Sequence, residues 1–152
     1  MEKEKAIEVL NSLITINNDR IEGYETASKE TEEVDLRNMF GQFISTSKKF
    51  KHELVREVNA MGGEAAEGTL TSGKFFRAWM DVKAALTGKD RKAILNSCEF
   101  GEDRAKETYE KALENDSEDL SSEHRTMISA QKFSLAADHS HIKAMRDALA
   151  DA

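Results

Sequence analysis

Apolar side chains recur along this chain at three- and four-residue intervals, the period of an α-helix that buries one face. From about Glu2 to Glu32 the positions Ile7, Leu10, Leu13, Ile14, Ile21 and Tyr24 fall on one stripe. Glu33-Val34-Asp35 interrupts it, with Asp35 placed to cap the next helix. A connection this short folds the two helices into an antiparallel hairpin. Leu36, Phe40, Phe43, Phe50, Leu54, Val58 and Met61 make the second stripe, which ends at Gly62-Gly63, a pair suited to a left-handed helix terminus.

Small and polar residues from Gly63 to Ser72 predict a loop, and Thr71 or Ser72 can cap a shorter helix over about Gly73 to Leu86. Its stripe is Phe75, Trp79, Val82 and Leu86, and Thr87-Gly88 ends it. A third long helix is expected from about Asp90 to Glu114, with Ile94, Cys98, Gly101, Ala105, Tyr109 and Ala112 inward. Asn115-Asp116-Ser117 has turn chemistry, and Ser121 or Ser122 caps the last helix. That helix turns Met127, Gln131, Leu135, Asp138, Ile142, Met145 and Leu149 inward.

Four such helices, each about 40 Å long, predict an all-α four-helix bundle forming a single domain over residues 1–152. The segment between the hairpins, about 63–89, is long enough to run the length of the bundle, which favours up-down-down-up connectivity with the Trp79 helix in the crossover. Up-down-up-down, with that helix across one end, is the alternative.

Composition narrows the function classes. The chain has no proline, which agrees with uninterrupted helices, and its one cysteine, Cys98, allows no internal disulfide. A net charge of −7 argues against nucleic-acid and anionic-membrane surfaces. No apolar run reaches the length of a membrane span, and the Met1–Lys5 start does not read as a signal peptide, so a cytoplasmic location is expected. There is no phosphate-binding glycine loop, no Ser/His/Asp order and no metalloprotease motif.

The informative residues are polar ones in apolar phase. Asn17 lies near the centre of the first stripe, and Glu25 stands about 60° from it. Glu102 lies about 40° and Glu99 about 100° from the centre of the third. Asp138 falls on the centre line of the fourth, with Gln131 below it and His139 and His141 on its flanks. A buried carboxylate is costly unless it is paired, hydrogen-bonded, protonated or bound to a metal.

Asp138 and His141, three residues apart, share a helix face and can converge on one ion, and carboxylate-x-x-His is half of the ligand set of di-iron bundles. Counted from the turns, Glu22 and Glu25 come level with Asp138–His141 and with Asn96–Glu99, while Glu102 is about one turn away. The matching level of the second helix, Gln42–Ser45, offers no carboxylate and no histidine. Glu25, Glu102, Asp138 and His141 are therefore the candidate ligands, with Glu22, Glu99 and His139 as substitutes. Four ligands fall short of the six or so of a complete di-iron site but could hold one iron or manganese ion. An internal hydrogen-bonded network, with Asp138 protonated or bonded to Gln131, Asn17 or Tyr24, is preferred to a metal site.

Several stretches carry a family resemblance: Glu22-Gly23-Tyr24-Glu25, Glu53-Leu54 leading to Met61-Gly62-Gly63, Trp79-Met80, Lys83 to Gly88, Cys98 to Asp103, and the tail His139 to Asp147. Together they resemble a bacterial family of uncharacterised four-helix-bundle proteins in the ferritin-like superfamily. The resemblance implies that fold and a bacterial cytoplasmic setting, with no established activity. Ferritin-like relatives bind two irons and perform oxidase, storage or peroxide chemistry. Of their pattern only Glu25, Glu102 and the Asp138–His141 pair map here. The second-helix Glu-x-x-His is missing, and Asp replaces Glu on the fourth helix. The expectation is a non-catalytic, stress-related or interaction bundle with a degenerate core site, acting as a homodimer or with a protein partner, and an iron- or manganese-binding protein is the alternative.

Overall fold

A computed structural model describes residues 2–67, 91–114 and 120–150. They form four α-helices and no strand: α1 (Glu2–Glu30), α2 (Val34–Ala60), α3 (Arg91–Glu114) and α4 (Ser122–Ala150). None of these helices is long and apolar enough to cross a membrane. The expected short helix over 73–86 and the Asn115–Ser117 turn lie outside the described residues.

Heptad spacing explains the association. Leu13, Asn17, Arg20 and Tyr24 follow a 4-3-4 interval on α1, and Phe40, Phe43, Ser47, Phe50 and Leu54 a 3-4-3-4 interval on α2, all of them buried. Cys98, Glu102, Ala105 and Tyr109 continue the pattern on α3, as do Ile128, Gln131, Leu135, Asp138 and Ile142 on α4. Each helix thus presents one seam to the others. α1 packs along α2, and α3 along α4.

Contacts between helices fix the connectivity. Asn17 meets Tyr109 while Arg20 meets Glu102, so α3 runs antiparallel to α1. Phe50 meets Gln131 and Glu57 meets His124, so α4 runs antiparallel to α2. Arg91 at the start of α3 pairs with Glu33 and Asp35 at the start of α2. The order is therefore up-down-down-up, and the connection between α2 and α3 joins opposite ends of the bundle. Its first residues already turn back along α1, where the Asn11 side chain donates to the Glu64 carbonyl at 2.9 Å and accepts from the Ala66 N–H at 2.8 Å.

The N-terminus of α2 differs from the sequence expectation. Glu33, not Asp35, is the N-cap of α2, and its side chain makes no capping bond. Asp35 sits inside the first turn, where Arg91 holds it through two hydrogen bonds of 3.1 and 2.6 Å. That bidentate guanidinium, more than any other influence, holds the Asp35 carboxyl below its usual range. Ser121 is the cap of α4, its hydroxyl accepting from the His124 N–H at 3.1 Å.

α2 ends in a Schellman motif. The Gly62 N–H donates to the Asn59 carbonyl and the Gly63 N–H to the Val58 carbonyl, both at 3.0 Å, with Gly62 at φ +79°. An L-residue is strained in that conformation. Gly62→Ala is expected to cost about 1–2 kcal/mol in urea denaturation, and an unchanged midpoint would contradict the assignment.

Among the described residues the core falls into two apolar clusters. One holds Leu10, Leu13, Ile14, Phe50, Leu54, Val58, Tyr109, Ile128 and Leu135. The other holds Tyr24, Leu36, Phe40, Phe43, Ile94, Leu95, Cys98 and Ile142. On every helix the seam positions between the two clusters are polar: Asn17 and Arg20, Ser47, Glu102, and Asp138. Leu149, expected inward, is 36% exposed near the end of α4.

Candidate functional site

The polar layer is organised by Arg20, whose side chain is fully buried. A guanidinium presents five N–H donors in a rigid plane, and this one reaches the three other helices. Its Nε and Nη2 donate to Glu102 Oε1 of α3 at 3.0 and 2.8 Å. Nη1 donates to Ser47 Oγ of α2 at 2.6 Å, and Nη2 also reaches Asp138 Oδ2 of α4 at 3.3 Å. The rings of Tyr24 and Phe43 lie 5.6 and 5.8 Å from the guanidinium carbon, within cation–π range. Burial opposes the charge of Arg20, but Glu102, Tyr24 and Asp138 more than offset it, so its pKa is raised and it stays cationic.

Glu102 is equally sealed, at 1% exposure. Its Oε1 takes both Arg20 bonds and a 2.5 Å bond from the Tyr24 hydroxyl, while its Oε2 is buried without a hydrogen-bond partner among the described residues. Burial first, and then the Glu102 charge, push the Tyr24 phenol and the Cys98 thiol upward. Cys98 is therefore a buried, unreactive thiol. Asp138 is 20% exposed on the rim of the layer. Burial, reinforced by Glu102 and opposed by Arg20, raises its pKa to about 6.

One turn away a second network spans the bundle. Asn17 donates to the Leu13 carbonyl and to the Tyr109 hydroxyl, both at 2.8 Å, and the Tyr109 hydroxyl donates to Gln131 Oε1 at 2.7 Å. Asn17 and Gln131 therefore serve Tyr109, Tyr24 serves Glu102, and the partner of Asp138 is Arg20.

The structure thus brings together two of the four residues expected around an ion, Glu102 and Asp138, and sets a guanidinium between them. Glu25 is 45% exposed and lies 3.6 Å from Lys48 Nζ of α2. Glu22 and His141 are exposed. Glu99 and His139 meet elsewhere, on the flank between α3 and α4, together with Asp103 and Arg146. The α2 level is Ser47 and not Gln42–Ser45, so that helix adds a hydroxyl to the layer. Arg20 is the residue that the sequence reading missed. Its signal was present, because it occupies the seam position between Asn17 and Tyr24.

Residues 5–115 match the domain of unknown function DUF2383, over more than two thirds of the chain. The chain belongs to this family. The DUF2383 match contains Arg20, Tyr24, Ser47 and Glu102, so what three of the four helices contribute to the polar layer lies within it. It ends before α4, and Asp138, His139 and His141 fall outside it. No curated protein matches the chain.

Proposed function

We propose that this DUF2383 protein is a non-catalytic bundle with a degenerate ferritin-like centre, in which a built-in guanidinium takes the place of a metal ion. Its work then lies on its surface, in binding a protein partner or a second copy of itself. The observation that carries this reading is the full burial of Arg20 between Glu102 and Asp138, with Ser47 on the remaining helix. A permanent cation satisfies interior carboxylates without any exchangeable ion, and it repels one that would enter.

A second reading has one observation in its favour. Glu102 Oε2 lacks a partner although it is buried, as a ligand oxygen awaiting iron or manganese would. It requires Arg20 to leave the layer, and Glu25 and His141 to swing in from the exposed positions described above. One assay separates the two. Metal analysis of the protein purified without a histidine tag should find no stoichiometric iron or manganese that Asp138→Asn and Glu102→Gln remove. Stoichiometric iron or manganese lost in those two variants would replace the first reading with the second.

A further inference from the structure

We infer that Glu99, Asp103 and His139 form a binding site for a divalent transition-metal ion on the α3–α4 flank, separate from the Arg20 layer and independent of the reading above. Glu99 and Asp103 are four residues apart on α3 and share a face, which lies against His139 of α4. One carboxylate oxygen from each acid and a ring nitrogen of His139 all lie within 4.8 Å of one another. Asp103 Oδ1 stands 2.6 Å and Glu99 Oε1 3.8 Å from His139 Nε2.

Proximity alone does not distinguish a metal site from an ion pair, but direction does. His139 Nε2 is closed off from water and has no hydrogen-bond partner among the described residues, even though the Asp103 oxygen is so near. The carboxylate is therefore out of line with a ring N–H. A buried polar atom in this condition is costly, and an ion shared with the two carboxylates removes the cost.

The surroundings resemble the second layer of contacts that orients ligands. Arg146 bonds Glu99 through Oε2, leaving Oε1 for the imidazole side. Two carboxylates and one guanidinium leave the cluster with a single net negative charge, suited to a cation. Glu99 and His139 are 17% and 19% exposed, and Asp103 at 42% gives an ion a path from solvent. One imidazole nitrogen with two carboxylate oxygens suits zinc, cobalt or manganese better than magnesium or calcium, which prefer oxygen alone. Three protein ligands leave the remaining positions to water.

Titration of the full-length protein with Co²⁺ tests the site, read by the d–d absorption bands and by calorimetry. About one equivalent should bind, unaffected by excess Mg²⁺, and His139→Ala and Asp103→Asn should each weaken binding at least about tenfold. His141→Ala should bind Co²⁺ like the parent. Both ligand positions are partly exposed, and circular dichroism should show each variant folded. Absence of saturable binding, or binding that survives in either ligand variant, overturns the site. Equal loss in His141→Ala would move the ion to another location and overturns it as well.

Discussion

Replacing Arg20 with methionine should lower the unfolding free energy by about 3–5 kcal/mol, the usual cost of stranding one member of a buried ion pair. The size follows from what is left behind. Glu102 would keep only the Tyr24 hydroxyl as a donor, and Ser47 and Asp138 would lose their common partner. A domain of this kind is stable by only about 5–15 kcal/mol, so the variant should melt far earlier than the parent. Arg20→Lys should recover little, because one ammonium cannot reproduce the planar fork that contacts three helices.

The companion variant decides whether the layer is there for stability. With Arg20→Met and Glu102→Leu combined, the buried charge and its partner vanish together, and most of the lost stability should return. Urea denaturation of the two single variants and the double measures the coupling between them. A single Arg20→Met variant within about 1 kcal/mol of the parent would mean that the guanidinium is not the organising charge.

The polar layer also shows how far sequence periodicity reaches. The four helices were legible because they are long, proline-free and marked by seams that glycine pairs and serine caps punctuate. Asp138 and Glu102 were legible for the same reason, since a carboxylate in apolar phase demands an explanation. Arg20 occupies an equally apolar phase, but an arginine on a helix is ordinarily read as a surface residue whose stem lies along the core. Only the packing shows that its head stays inside, held by residues 27, 82 and 118 positions away in sequence.

Heights along the bundle were the weaker inference. Counting from the turns placed Glu22 and Glu25 level with Asp138, and an offset of a single helical turn is enough to exchange one set of facing residues for another. α1 ends at Glu30, two residues earlier than the stripe suggested, and the layer on α2 falls at Ser47. Helix ends of this kind are fixed by local bonds, such as that of Thr31 Oγ1 with the Glu33 N–H at 3.2 Å, which periodicity does not register. The flank cluster was half visible, as Glu99 and His139, but Asp103 joins it only because α3 and α4 pack at that height.

Asp138 should make the protein less stable as the pH rises. Arg20 supplies one positive charge to a layer holding two carboxylates, and the excess negative charge is relieved most easily by protonating the group nearest the rim. The folded-state pKa of Asp138 is about 6, against 3.8 for an unperturbed aspartate, with burial as the leading cause. A pKa raised by folding means that the folded protein holds the proton more tightly than the unfolded chain. The resulting stabilisation is complete below about pH 4 and is lost as the pH passes through 6. A fully sealed carboxyl would account for about 3 kcal/mol, and the fifth of the side chain that reaches water reduces this to roughly 2 kcal/mol.

Asp138→Asn isolates this contribution, because the amide resembles the protonated acid and does not titrate. Unfolding free energies measured by urea denaturation between pH 4 and 8 should be similar for the two proteins at the acid end. By pH 7.5 the variant should be the more stable by roughly 2 kcal/mol. Other titrating groups are common to both proteins and cancel in the difference. The dependence would reverse if the Arg20 contact outweighed burial, since Asp138 would then gain stability on ionising and the asparagine variant would be the weaker at neutral pH. The sign of that difference therefore weighs the desolvation of Asp138 directly against its 3.3 Å contact with Arg20.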